Sequence, residues 1–235
     1  MSSIGRCCVC VCLLLLCVGC KIPTTKNPLI EPSEAKPFSG LYGAFRSTDR
    51  TDDDLQYVHM GPAGNGYPAG FLQIISVSHS NDSKSSDSKL SDSKLSDSKS
   101  SLIFEKYVGF VYPMGRYAVL HIPLPKTKKE ANKPAFWDRE WDQEQVGGYM
   151  IMRLLVSPDS IEMCSLNEEF VMEKILSKKL AGRVDQGAGE REPATTVKIQ
   201  TVTITADADA LRQFFTKYMD DKLFDDPQWK LTRLH

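Results

Sequence analysis

The chain has 235 residues, of which 41% are hydrophobic and 25% are charged, and its 29 Lys and Arg against 30 Asp and Glu leave a net charge of −1. These proportions are those of an ordinary globular protein and exclude collagen-like and wholly disordered chains. The near-zero net charge lacks the basic excess that is typical of nucleic-acid-binding proteins, so no nucleic-acid partner is expected.

The first nineteen residues have the order of a secretory signal peptide. Residues 1–6 are a short polar segment that ends at Arg6. Residues 7–19 are all apolar or small residues, centred on Leu13–Leu16. Thirteen residues in a helix cover about 20 Å, short of the roughly 30 Å hydrocarbon core of a membrane. The stretch therefore predicts an exported, cleaved signal peptide at 1–19.

The end of this segment, Leu16-Cys17-Val18-Gly19-Cys20, resembles the bacterial lipoprotein signal. In that signal, a small residue precedes a cysteine that is acylated and becomes the new N-terminus. The resemblance implies lipidation at Cys20, with palmitate among the acyl chains, and a cell-envelope protein that lies on a membrane, facing the periplasm or the surface. Ordinary signal cleavage and an uncleaved anchor are the alternatives.

Cysteine use is concentrated at the amino terminus. Six of the seven cysteines lie in the first twenty residues, so cleavage before Cys20 leaves only Cys20 and Cys164. With Cys20 acylated, no intramolecular disulfide is possible. Cys164 ends a strand-like run, and we expect it to be a buried core residue.

Residues 20–37 are polar and rich in proline, with Pro23, Pro28, Pro32 and Pro37. This density opposes helix and sheet and favours an extended, polyproline-like chain. We expect a tether, which at about 3.1 Å per residue lifts the folded domain roughly 50 Å from the bilayer.

The remainder, 38–235, predicts one α+β domain with a mainly antiparallel sheet. Runs rich in β-branched and aromatic residues, separated by turn residues, predict strands at 40–46, 55–60, 70–78, 102–112, 116–122, 149–156, 161–164 and 197–205. Most connections are too short for helical crossovers, which favours antiparallel pairing and allows a barrel-like sheet.

A five-residue unit of the type Asp-Ser-Lys-Xaa-Ser repeats four times over residues 82–101. The charges of its Asp and Lys residues cancel, and only Leu90 and Leu95 are apolar. The segment therefore has too little apolar surface to bury to offset the entropy cost of folding. We expect a disordered insertion at 79–101 inside a hairpin, which loop-closure entropy tolerates. A Ser-rich modification site or weak binding segment is the alternative.

Two helices are predicted to pack on the sheet. The first begins with the capping box Ser165–Glu168 and has apolar residues at helical spacing over 170–176. The second begins near Thr205 and has apolar residues at helical spacing over 211–219. A polar loop at 182–193 separates them.

The last ninety residues resemble a group of uncharacterised bacterial exported proteins. The likeness rests on the segments Gly148–Arg153, Val202–Thr205, Leu211–Phe215, Leu223-Phe224 and Leu231–Leu234. It supports the domain assignment and implies no activity.

No catalytic residue, cofactor or metal is predicted, since no HExxH, G-x-S-x-G, P-loop or kinase motif occurs. His59 and His121 lie in predicted strands, and a zinc or hydrolase site would require the fold to bring such residues together. We expect satisfied or surface histidines instead. The acidic clusters at 52–54 and 220–226 lack EF-hand spacing and predict solvated turns.

The most suggestive local sequence is Trp137-Asp-Arg-Glu-Trp141. In a helix, two tryptophans four residues apart share a face. Trp137 and Trp141 are therefore a candidate binding surface for carbohydrate or a protein partner. The alternative is that this face docks on the sheet as a lid over the core. Trp229, which follows Pro227, is expected to be a core anchor.

These features together favour a lipid-anchored extracytoplasmic protein whose domain is a non-catalytic binding or scaffold module. Its expected partners are the membrane and an unknown protein or cell-envelope component. Two alternatives stay open. A closed barrel could hold a small apolar ligand, as lipocalins do, and a hydrolase site could be assembled from distant strands.

Overall fold

The computed structural model of this protein describes residues 22–47, 56–64, 66–81, 100–126, 141–186, 199–220 and 222–235. Strands predominate within these ranges. They are β1 (Thr24–Thr25), β2 (Gly43–Ser47), β3 (Gln56–Pro62), β4 (Phe71–Asn81), β5 (Ser100–Met114), β6 (Tyr117–Pro125), β7 (Val146–Val156), β8 (Ser160–Ser165), β9 (Gly182–Gln186), β10 (Ile199–Ile204) and β11 (Trp229–Arg233). The helices are α1 (Glu168–Leu176) and α2 (Ala208–Tyr218).

Eight antiparallel strands close into a barrel. Their order around the ring is β2-β3-β4-β5-β6-β7-β8-β11, and β11 pairs back with β2. Closure pairs the two edges that an open sheet would expose. The prediction of a mainly antiparallel, barrel-like sheet with two packed helices is therefore confirmed, although the fold is mostly β.

The barrel core follows from alternation along the strands. In β3, for example, Val58 and Met60 are buried while Tyr57 and His59 are exposed, as expected when one face of a strand points inward. Apolar side chains from all eight strands meet inside the barrel, among them Phe45, Met60, Leu72, Val111, Leu120, Leu154, Ile161 and Leu231.

A second apolar cluster covers part of the outer barrel wall. The first seven residues of β6, Tyr117–Pro123, are all buried, so this strand is covered on both faces. The outward side chains lie under α1, α2 and the segment before β2. The cluster includes Leu29, Phe110, Val119, Ile151, Cys164, Val171, Leu211 and Phe215. The prediction that Cys164 is a buried core residue is confirmed, since it is 0% exposed and unpaired.

A short sheet extends from β7. Strand β1 pairs antiparallel with β7 and parallel with β10, and β10 pairs with β9. Residues 182–186 thus form a strand, so the prediction of a loop there is wrong. A Cβ atom on Gly182 would lie 2.8 Å from the carbonyl oxygen of Thr203, so only glycine allows this close approach.

Residues 22–37 belong to the domain, so the tether prediction is wrong for this part of the chain. Thr24–Thr25 form β1, and Leu29 is fully buried. The Asn27 side chain donates a hydrogen bond to the Ala206 carbonyl at 2.9 Å. Prolines remove backbone donors and so oppose regular structure, but they do not oppose burial, and Pro28 is itself buried.

Both predicted helices are confirmed, with their starts moved by two to three residues. Asn167 caps α1, and its side-chain oxygen accepts a hydrogen bond from the Phe170 N–H at 2.8 Å. Ser165, the predicted cap, is the last residue of β8 and pairs with Met152. Asp207 caps α2 in the same way.

The hairpin of β4 and β5 is the longest in the barrel. Its pairing continues to Asn81 opposite Ser100, beyond the last pair of β3 with β4, which joins Gln56 to Ser78. Residues 79–81 and 100–101, predicted to be disordered, are therefore strand. The remaining residues of the predicted insertion, 82–99, lie outside the described ranges.

The packing of Leu29 generates a prediction for stability. Leu29→Ala should lower the free energy of unfolding by about 2–5 kcal/mol, because the change leaves a cavity under the N-terminal segment. Chemical denaturation of the purified protein measures this loss. The control Lys36→Ala, at an exposed position of the same segment, should change it by less than about 0.5 kcal/mol. Equal effects would contradict the described packing.

Candidate functional site

Of the predicted site residues, Cys20 and Trp137 lie outside the described ranges, and Trp141 lies inside them. Trp141 is half-buried, and its ring centre is 4.8 Å from that of Phe71 and 6.4 Å from that of Tyr67. Its backbone N–H donates to the Gly66 carbonyl at 2.9 Å. Trp141 therefore packs its ring against the apolar cluster on the outer barrel wall. For this residue, such packing is what the alternative interpretation, a lid over the core, expects.

The fold does not bring His59 and His121 together. They lie on β3 and β6, with β4 and β5 between them. His59 is exposed, whereas His121 is fully buried, and the His121 ring stacks on Phe110 at 4.8 Å. The Nε2 atom of His121 accepts a hydrogen bond from the Leu29 N–H at 3.2 Å. His121 thus connects the N-terminal segment to the barrel.

Burial determines the protonation of His121. Loss of hydration lowers the pKa of His121 to about 3, so the ring is neutral at physiological pH. A neutral ring can accept the Leu29 N–H, which a doubly protonated ring cannot. Within the described ranges, no three His, Cys, Asp or Glu residues are grouped closely enough to hold a metal ion.

The middle of the barrel is filled by its own side chains. Phe45, Leu120, Leu154 and Ile161 are each 2% exposed or less, so little water-sized space adjoins them. This packing contrasts with the open interior that a barrel needs to enclose a ligand.

Polar side chains occupy inward positions near one end of the barrel. The Gln56 amide donates to the Ser76 hydroxyl at 2.6 Å, and the Tyr107 hydroxyl donates to the Glu105 carboxylate at 3.2 Å. Glu105 stands directly opposite Ser76 and is 8% exposed. Such groups are stable in a core only when they are hydrogen-bonded. In the sequence, the signal for this cluster was the polar residues Ser76 and Glu105 at alternating positions of β4 and β5 that point into the barrel. The sequence pattern did not reveal it in advance.

An open groove of about 680 Å³ separates the N-terminal segment from the start of α2. Arg212 donates to the Leu29 carbonyl at 2.9 Å and pairs with Asp209. Tyr149 lines the groove from β7, and burial, with a smaller effect from Glu31, raises its pKa to about 12. The bond from Arg212 to Leu29 connects α2 to the N-terminal segment.

A second polar cluster holds the end of α2 on the barrel wall. The guanidinium of Arg153 lies 5.0 Å from the ring centre of Tyr117 and donates to the Met219 carbonyl at 3.0 Å. Asp220 accepts hydrogen bonds from the Tyr117 hydroxyl and from Arg116, and these bonds lower the pKa of its carboxyl group. The arrangement is an anchor for the helix.

An apolar row lies on the outer face of the barrel. Tyr57, Val77 and Phe104 are direct cross-strand neighbours on β3, β4 and β5. Tyr57 is 43% exposed and Phe104 is 67% exposed, and Leu102, on the same face as Phe104, is 60% exposed. Outer sheet faces that meet water are normally polar. The signal in the sequence was the run Leu102–Phe104, which is apolar on both faces of one strand.

Comparisons with known proteins yield no relative. No family model, curated protein or solved structure matches the chain. Within the described ranges, none of the helices has the length and apolar character needed to cross a membrane.

The buried neutral His121 predicts a pH-dependent stability. In the unfolded chain the ring binds a proton below about pH 6.5, whereas in the folded chain it does so only near pH 3. The contribution of neutral His121 to the free energy of unfolding is therefore complete above pH 6.5 and is lost as the pH falls. Between pH 6 and pH 4, each unit by which the pH falls should lower the free energy of unfolding by up to about 1.4 kcal/mol because of His121.

Denaturant titrations at several pH values measure this slope. His121→Gln should show a shallower slope than the wild-type chain, whereas His59→Gln, at an exposed position, should keep the wild-type slope. Equal slopes for the wild-type chain and His121→Gln would show that His121 does not control this dependence.

Proposed function

We propose that this protein is a lipid-anchored module of the cell envelope that acts through contacts of its outer surface and has no catalytic role. The observation that carries the proposal is the apolar row of Tyr57, Val77 and Phe104, in which Tyr57 and Phe104 are exposed and Val77 between them is half-buried. Neighbouring exposed apolar side chains mark contact surfaces. The filled middle of the barrel further supports an outer rather than an inner contact site.

The anchor is supported by the lipoprotein-like end of the signal segment, Leu16–Cys20. Several acyl chains on one residue hold a protein durably on a bilayer, whereas a single chain binds only marginally. An anchored protein meets its partners in two dimensions, so even a small contact surface can act at a high effective concentration.

Metabolic labelling with a radioactive fatty acid tests the anchor. Cys20→Ala should abolish the label on the protein and move it from the membrane to the soluble fraction. Cys17→Ala, which changes the other cysteine at the end of the same segment, should keep the label. Persistent labelling of Cys20→Ala would overturn the proposed anchor.

A second candidate function, the binding of a small apolar ligand, is favoured by the closure of the barrel. Titration of the purified mature protein with a fluorescent fatty acid distinguishes the two functions. Because Phe45 and Leu154 fill the middle of the barrel, we expect no saturable binding. Saturable binding of one molecule per chain, weakened by Leu154→Trp but not by Phe104→Ser, would favour the ligand-binding function instead.

A further inference from the structure

We infer that the groove between the N-terminal segment and the start of α2 is a binding site for an alkylammonium group, the positively charged end of an organic amine. The groove shares no lining residue with the apolar row of Tyr57, Val77 and Phe104, so this site is additional to the proposed contact surface. It depends neither on that surface nor on the lipid anchor.

The groove has the size of a small-ligand site. Its volume of about 680 Å³ lies within the range of roughly 300–1,000 Å³ that holds small molecules. Three parts of the fold line it: residues 26–34 of the N-terminal segment, residues 143–149 at the start of β7, and residues 207–212 at the start of α2. All the lining residues lie within the described ranges. Distant parts of the chain thus converge on one cavity.

Tyr149 supplies a buried polar group to this groove. The residue is 3% exposed, and its ring meets that of Phe110 edge-on, with the ring centres 6.0 Å apart. Within the described part of the chain, no group forms a hydrogen bond with the Tyr149 hydroxyl. This hydroxyl is not among the unpaired polar atoms that are sealed from solvent, so it meets open space in the groove that Tyr149 lines. Buried polar groups normally have a partner, and a ligand in the groove can supply it.

The charged side chains of the groove leave an excess of negative charge. The lining has four carboxylates and two basic side chains, namely Glu31, Glu34, Asp207, Asp209, Lys26 and Arg212. Asp209 pairs with Arg212, and Asp207 caps the first turn of α2. Glu31 and Glu34 then face only Lys26, so the field in the groove favours a cation.

An ammonium group matches both the hydroxyl and the carboxylates. Burial, and to a smaller extent the charge of Glu31, raises the pKa of Tyr149 to about 12, so the hydroxyl is neutral and lies within the field of that carboxylate. A neutral hydroxyl accepts hydrogen bonds, and an ammonium group has three N–H donors. One ammonium can therefore bind the hydroxyl and offset the charge of Glu31, whereas an anionic ligand would be repelled.

An organic cation fits this lining better than a metal ion does. Within the described ranges, no three His, Cys, Asp or Glu residues are grouped closely enough to hold a metal. Ca²⁺ and Mg²⁺ require about six or more oxygen ligands around one point. An alkylammonium group requires only a few acceptors, and its carbon chain can lie along the apolar lining residues Pro28 and Val146.

Isothermal titration calorimetry of the purified protein at low salt tests the site, since salt screens exposed charges. Spermidine is the probe for a free amine, and a tri-lysine peptide with blocked ends is the probe for the same group on a peptide. We expect saturable binding of at least one probe, with one molecule per chain, and the tighter binder identifies the source of the ammonium group. The absence of saturable binding for both probes would overturn the inference.

Three variants locate the binding. Tyr149→Phe should weaken it about tenfold through loss of a hydrogen bond to a charged group, and the fold should stay intact because the hydroxyl has no described partner. Glu31→Gln should weaken it about threefold, as expected for an exposed charge. Glu169→Gln removes the same charge at an exposed position of α1 and should change the affinity by less than about 1.5-fold.

Two results would overturn the assignment to the groove. The first is unchanged binding in a folded Tyr149→Phe variant, because the hydroxyl would then not touch the ligand. The second is an equal loss of affinity in Glu31→Gln and Glu169→Gln, because the probes would then respond only to the overall charge of the protein.

Discussion

The pairing of β6 with β7 is the constraint on which the rest of this structure depends. It joins the meander of β2 to β6 to the later strands, and so allows the sheet to close through β11 and β2. It also creates an outer wall whose side chains, such as Val119 and Ile151, are apolar. Burying that wall requires a second layer, which α1, α2 and the N-terminal segment supply.

His121 shows how closely the layers depend on each other. Its ring lies between the barrel and the N-terminal segment, stacked on Phe110, and its Nε2 atom accepts a hydrogen bond from the N–H of Leu29. The segment is thus held by apolar burial and by a hydrogen bond in a site without water, where such bonds are strong. A segment held this firmly cannot act as a spacer.

Much of the fold was predictable from local pattern. Eight strands and both helices were found because each is long enough for alternation or helical spacing to be visible, as in 102–112 and 211–219. Strands β1, β9 and β11 were missed. Two residues show no alternation, and β9 begins at Gly182, whose role is to allow a close contact with Thr203. The candidate site was harder, since Tyr57, Val77 and Phe104 become neighbours only through strand register.

The sequence by itself determined the antiparallel character of the sheet, the two amphipathic helices and the burial of Cys164. These follow from hydrophobicity, spacing and turn residues, which act over a few positions. Only the tertiary structure decided that the sheet closes, that residues 22–37 join the domain, and that Leu102 and Phe104 stay exposed. Each of these depends on which surfaces distant segments cover, and that is a property of long-range packing.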